Sequence, residues 1–172
     1  MPAETKSTLV AVDTNFLLDL AAETAVCWDA LTTIGQKLRR PIIIVPPTVI
    51  DELSIAFDDP HDLEEQRLAA IAIQNLRAVW KFQPVDLVPV GHGIVECIAD
   101  RIRNRGFLPP EEKNDSFILA EAALLECALL VSADGHLRDV PAGPLKLLLD
   151  EHDVGCPLIV SPWKIVNEFF PR

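Results

Sequence analysis

Basic residues are scarce in this 172-residue chain: 15 Lys and Arg stand against 26 Asp and Glu, a formal net charge of −11. Overall charge therefore cannot carry affinity for a polyanion, because phosphate attraction supplies most sequence-independent nucleic-acid binding. A nucleic-acid binder of this composition needs a cation to neutralise its acids and a local gathering of its basic residues. Cysteine is equally thin. Cys27, Cys97, Cys127 and Cys156 stand singly, no CxxC pair occurs, and the four histidines are not spaced as zinc partners. A zinc module is thereby excluded, and the thiols read as reduced and buried. No long uncharged apolar run exists. The longest, 117–131, contains Glu121 and Glu126 and is too short and too charged to span a bilayer. The opening Met1-Pro-Ala-Glu-Thr-Lys has no basic n-region and no cleavage pattern, so no signal peptide and a cytoplasmic location are expected. Repeats, low-complexity stretches and linkers are also absent. What remains is 49% apolar and 24% charged, which fits one globular domain over 1–172 with a substantial core.

The apolar pattern alternates strands with helices. Residues 8–12 and the β-branched run Pro41-Ile-Ile-Ile-Val45 read as buried strands. A short helix opens at Phe16. A second covers 25–39 and ends in Lys37, Arg39 and Arg40, which suits a helix C-terminus. Pro46-Pro47-Thr48 opens a helix through Phe57, and Asp58-Asp59-Pro60-His61 breaks it. Amphipathic helices are predicted over 62–82 and 94–104, and a strong one over 111–127. Short strands follow at 129–131 and 145–149, and the tail reads as an extended piece before a Pro162-started helix. Apolar strands separated by helices imply a parallel sheet covered on both faces. Sites in such sheets form outside the carboxyl ends of the strands. Asp13, Asp134 and Asp150 each stand at the end of a predicted strand.

Each carboxylate has a plainer alternative. Asp13, closing the strand in "LVAVDTNFLLDL", is a natural N-cap for the next helix, although Asn15 could serve instead. Asp51 and Glu52 are neighbours on the third helix. At about 100° per residue, Val49, Ile50, Leu53, Ala56 and Phe57 form its apolar stripe. Glu52 lies at the border of that stripe, and Asp51 lies almost opposite and faces water. Asp115 begins a stripe continued by Ile118, Leu119 and Ala122, and either it or Asn114 could be a cap. Asp134 could merely make a turn with Gly135. Asp139 and Asp150 read as solvated or supporting acids. Taken together, carboxylates converging on one sheet edge repel one another, and some must take up protons unless a cation intervenes. Oxygen-rich, sulfur-free surroundings suit Mg²⁺ or Mn²⁺.

The order of these pieces is informative: a strand ending in Asp13-Thr14-Asn15, Glu52-Leu53 on a helix after strand two, Asp115 early in a helix, and Ser132-x-Asp134 after the next strand. Across nearly the whole chain this resembles the PIN-domain ribonucleases, including the toxin halves of bacterial toxin–antitoxin pairs. "VDTNFLLDL" carries the resemblance most specifically, followed by "NDSFILAEA" with "LLVSAD". The resemblance implies a three-layer α/β/α fold with a central parallel sheet. It implies that Asp13, Glu52, Asp115 and Asp134 hold Mg²⁺ or Mn²⁺, and that Asn15 and Ser132 orient carboxylates or water. It implies metal-dependent hydrolysis of single-stranded RNA, a homodimer, and an antitoxin-like protein partner. The chain departs from compact members in a longer region with extra helices over 58–108, and in carrying Leu137 where an aromatic is usual after the last Asp.

Arg101, Arg103, Arg105 and Lys113 flank the loop before Asp115 and are candidate contacts to an RNA backbone, although Arg101 and Arg105 also fit a solvated helix face. Exposed aliphatic positions over 62–105 offer a surface for a second copy. Aspartate-nucleophile phosphatases fit poorly, since position 15 is Asn rather than a second acid and no lysine ends a late strand. A receiver domain fits no better. The alternative of another class is a PIN-like module that binds RNA or protein without cutting.

Overall fold

The structure, a computed structural model, describes residues 6–169. Strand β1 (Thr8–Val12) is followed by helices α1 (Thr14–Ala21) and α2 (Ala25–Lys37), then β2 (Pro41–Val45), α3 (Pro47–Asp58) and α4 (Leu63–Ala78). A two-residue strand β3 (Gln83–Pro84) leads to α5 (Pro89–Asn104), α6 (Lys113–Leu124), β4 (Leu129–Val131), α7 (Gly135–Arg138), α8 (Ala142–Asp150), β5 (Leu158–Val160) and α9 (Pro162–Lys164). A π-helical turn, Ile165–Phe169, closes the described chain, and the last residues of the expected tail helix lie outside it.

All neighbouring strands are parallel, in the order β3-β2-β1-β4-β5, and helices cover both faces. The three-layer α/β/α arrangement expected from the sequence is the one observed. Central β1 buries Val10, Ala11 and Val12 completely, and β4 buries Leu130 and Val131 completely. This is why both strands read as unbroken apolar runs. Helices α5, α6 and α8 pack together, α1, α3 and α4 pack together, and α3 also meets α6. The 58–108 region contributes α4, β3 and α5.

Three expectations are corrected, the last of them the burial of every cysteine. Residues 145–149, expected as a strand, belong to helix α8. Leu145, Leu148 and Leu149 are buried while Leu147 is 68% exposed, so the run has helical spacing, and leucine lacks the β-branching that favours strands. Asp150 therefore ends a helix and pairs with Lys146 at 2.8 Å. Phe57, expected on the buried stripe of α3, is 46% exposed, because that stripe stops at Ala56 near the helix end. Two short elements went unforeseen: β3, an edge strand in which Pro84 is tolerated, and α7, a single turn. Cys27 and Cys127 are buried, and burial pushes both thiols up to about 12, but Cys97 is exposed. No helix among the described residues is long and apolar enough to cross a membrane.

Candidate metal centre

The parallel register builds the site. Val12 stands opposite Val131, so Asp13 and Ser132 leave the sheet side by side, and the Asp13 N–H donates to the Val131 carbonyl at 3.2 Å. Asp13 is buried, and one carboxylate oxygen caps α1 by accepting from the Phe16 N–H at 2.8 Å. The cap is thus Asp13 itself, not Asn15. One oxygen satisfies the helix, and the carboxyl also lines the pocket. Asn15 is exposed on the pocket rim. Ser132 is fully buried. Its hydroxyl lies beside the Asp13 carboxyl and accepts from the Asp134 N–H at 3.0 Å, which fixes the turn after β4. Asp134 caps α7, accepting from the His136 and Leu137 N–H groups at 2.8 and 3.2 Å.

Glu52 is half-buried and Asp51 exposed, as the helical stripe required. Glu52 is held from two sides: Thr14 donates its hydroxyl at 2.7 Å and Asn114 donates its amide at 3.3 Å. Neither partner was identified for this role from sequence, because each lies far along the chain from Glu52. Asp115 is not a cap. The N-cap position of α6 is Glu112, which makes no side-chain capping bond, and Ile118, Leu119 and Ala122 behind Asp115 are buried. Asp13, Glu52 and Asp115 line one cavity of about 250 Å³, together with Thr14, Asn15, Asn114 and two further acids, Asp59 and Glu65.

The electrostatics are those of a crowded anionic site. Burial pushes the Asp13 carboxyl up to about 6; bonds from Ser132 and Phe16 oppose the rise, and the charges of Asp134 and Glu52 add to it. Burial pushes Asp115 up to about 7, reinforced by the charges of Asp134, Glu112, Asp13 and Glu52. Asp134 thus acts on the cluster through its field, although it does not line the cavity. None of the ion pairs among the described residues reaches Asp13, Glu52, Asp115 or Asp134. Nor, among those residues, are any three His, Cys, Asp or Glu side chains drawn into a closed coordination shell. The donor set is all oxygen, which fits Mg²⁺ or Mn²⁺.

The expected basic residues lie nearby but are mostly engaged. Arg101 and Arg105 reach Glu151 at 3.6 and 3.1 Å. Arg103 bonds Asp100 and Ser116 and lies over the Phe117 ring. Lys113 sits 5.8 Å from the Phe117 centroid. Both line, or lie beside, a recess of about 290 Å³ that shares Glu52, Ile55 and Asn114 with the acidic cavity, and Lys113 is on its wall.

The arrangement is an open parallel α/β sheet with acids gathered beyond its carboxyl edge, where sites form in sheets of this class. No protein-family model matches the sequence, and no curated protein matches it. Solved structures do. The crystal structure of VapBC2 from Rickettsia felis bound to a DNA fragment from the promoter superposes with a TM-score of 0.61 at 11% identity, over 90% of this chain and 98% of that one. VapBC-1 from nontypeable Haemophilus influenzae matches with a TM-score of 0.55 at 16% identity, over 91% of this chain and 99% of that one. The likeness establishes the fold, which is the PIN-like three-layer arrangement that the sequence resemblance implied.

Proposed function

We propose that this chain is a divalent-metal-dependent endoribonuclease that hydrolyses single-stranded RNA, and that it is the toxin of a toxin–antitoxin pair. One observation carries the reading: buried Asp13 and half-buried Glu52 and Asp115 share a cavity within the field of Asp134, without a basic partner among the described residues. A scaffold that only packs has no reason to bear that repulsion. Asp13, Glu52, Asp115 and Asp134 would hold Mg²⁺ or Mn²⁺. The ion, when bound, supplies activation of a water and neutralisation of charge on a phosphodiester. The chain's own contribution is placement. Thr14 and Asn114 hold both Glu52 oxygens, Phe16 and Ser132 fix Asp13, and Asn15 presents its amide at the rim. Lys113 is assigned to the RNA backbone, with Arg103, Arg101 and Arg105 at the outer edge of the approach, where their carboxylate partners already blunt their charge.

The VapBC neighbours, which are toxin–antitoxin complexes, support an antitoxin-like partner. Leu63, Val79, Val88 and Val90, each more than 60% exposed, support a homodimer through the 62–105 region. The test is incubation of the protein with single-stranded RNA in Mn²⁺, in Mg²⁺ and in chelator. Cleavage by the parent that chelator stops and Asp13→Asn abolishes is expected. Metal binding without cleavage would favour the non-catalytic RNA- or protein-binding module, and equal cleavage by Asp13→Asn would overturn the site.

A further inference from the structure

Glu121 takes no part in the site described above, yet it is a carboxylate only 2% exposed in the middle of α6. Among the described residues, all of its side-chain hydrogen bonds go to one residue on another helix. Thr48 donates its hydroxyl at 2.7 Å and its N–H to the two carboxylate oxygens at 3.3 and 3.2 Å. The N-cap position of α3 is Pro46, which offers no side-chain cap. Glu121 therefore supplies that cap from 73 residues away and sets its charge against the positive end of the α3 dipole. Burial still pushes Glu121 up to about 7, opposed by the Thr48 bonds and by the charge of His92 on α5, and reinforced by Asp51 on α3. An apolar residue would fill the position at lower cost, so a buried acceptor here needs another reason.

Helical geometry supplies one. Asn114 and Glu121 are seven residues apart, about two turns, and share a face of α6. Thr48 and Glu52 are four apart and share a face of α3. Those two faces are tied twice, Glu121 to Thr48 and Asn114 to Glu52. Helix α3 carries Glu52 and helix α6 carries Asp115. We infer that Glu121 is a positioning residue: by capping α3 through Thr48 it fixes the rotation and separation of α3 against α6, and so sets Glu52 relative to Asp115. The inference rests on the proposed metal site for its consequence, but the α3–α6 tie stands apart from it.

The test uses the full chain as Glu121→Ala, Glu121→Gln, Thr48→Val and the Glu121→Ala/Thr48→Val double variant. Mn²⁺ affinity is read by titration calorimetry and, without metal, the side-chain amide resonances of Asn114 by NMR. Glu121→Ala is expected to weaken Mn²⁺ about tenfold and to shift the Asn114 amide in the direction that Glu52→Ala shifts it. Thr48→Val, which deletes the hydroxyl donor but keeps the N–H, should act in the same direction to a smaller extent, and the double variant no more than Glu121→Ala alone. Glu121→Gln keeps an acceptor for Thr48 and should recover affinity to within about threefold. A Glu121→Ala chain that melts earlier yet keeps parental Mn²⁺ affinity and an unmoved Asn114 signal would overturn the inference. If the parent itself ignores Mn²⁺ while Asn114 still responds to Glu121→Ala, the metal reading fails and the positioning role stands.

Discussion

Two groups of acids lie close together and are treated in opposite ways. Along the α5–α8 edge, Asp100, Asp150 and Glu151 are each matched to a cation: Arg103, Lys146, and the pair Arg101 and Arg105. These acids are all substantially exposed, so the pairs contribute little to stability, yet every charge is answered. Beyond the sheet, Asp13, Glu52, Asp115 and Asp134 are answered by no cation among the described residues, and Asp13 and Asp115 rise towards neutrality instead. A chain with 15 basic residues has enough of them to pair both groups. The difference sets the second cluster apart and supports the proposed reading, in which it is neutralised from outside by an ion, or by protons in the ion's absence.

The comparison breaks most sharply under substitution. Asp13→Asn or Asp115→Asn should reduce Mn²⁺-dependent RNA cleavage by roughly 100-fold or more, measured on a single-stranded substrate, while Asp51→Asn on the solvent face stays within about twofold. Next comes ion linkage. At about a hundredfold excess over Kd, Mn²⁺ should add roughly 2.7 kcal/mol to the native state, a rise in melting temperature of about 6 °C. Asp115→Asn should erase that rise and Asp150→Asn should not.

Proton linkage should show the same contrast with the opposite sign of help. Asp13, Asp115 and Glu121 sit at about 6, 7 and 7 in the folded chain, above their values when unfolded. Their contribution to stability is therefore complete below about pH 4 and is lost as pH rises through 6 to 7. For Asp13 alone the loss is roughly 3 kcal/mol. Metal-free melting temperature should fall between about pH 4 and pH 7, and Mn²⁺ at pH 8 should offset the part that comes from Asp13 and Asp115. The smallest effects belong to the cations. Lys113→Ala should raise KM for RNA about fivefold, and Arg101→Ala, whose charge Glu151 already blunts, should raise it less than twofold.

How much of this was legible in the sequence follows from which forces are local. The β-branched run Pro41–Val45 and the buried run Thr8–Val12 declare their strands, and the Pro47 start declares α3. Helical phase separates Glu52 from Asp51 without any tertiary information. The error at Leu145–Leu149 came from reading a leucine run by its length when its neighbours Leu145, Leu148 and Leu149 already carried helical spacing. The partners of the acids were beyond reach. Thr14 to Glu52, Asn114 to Glu52 and Thr48 to Glu121 span 38, 62 and 73 residues, and nothing local marks such a pair. Caps were readable as possibilities only. That Asp13 caps a helix with one oxygen and also lines the cavity reconciles two roles that had looked like rivals.

Anomalous diffraction from Mn²⁺-soaked crystals tests the central claim most directly. The account predicts a peak in the acidic cavity about 2.1 Å from carboxylate oxygens of Asp13 and Asp115, with its remaining positions filled by water or by Glu52 and Asp134. A peak bound instead at the α5–α8 edge, or an empty cavity with Asp13 and Asp115 simply protonated at pH 8, would contradict it.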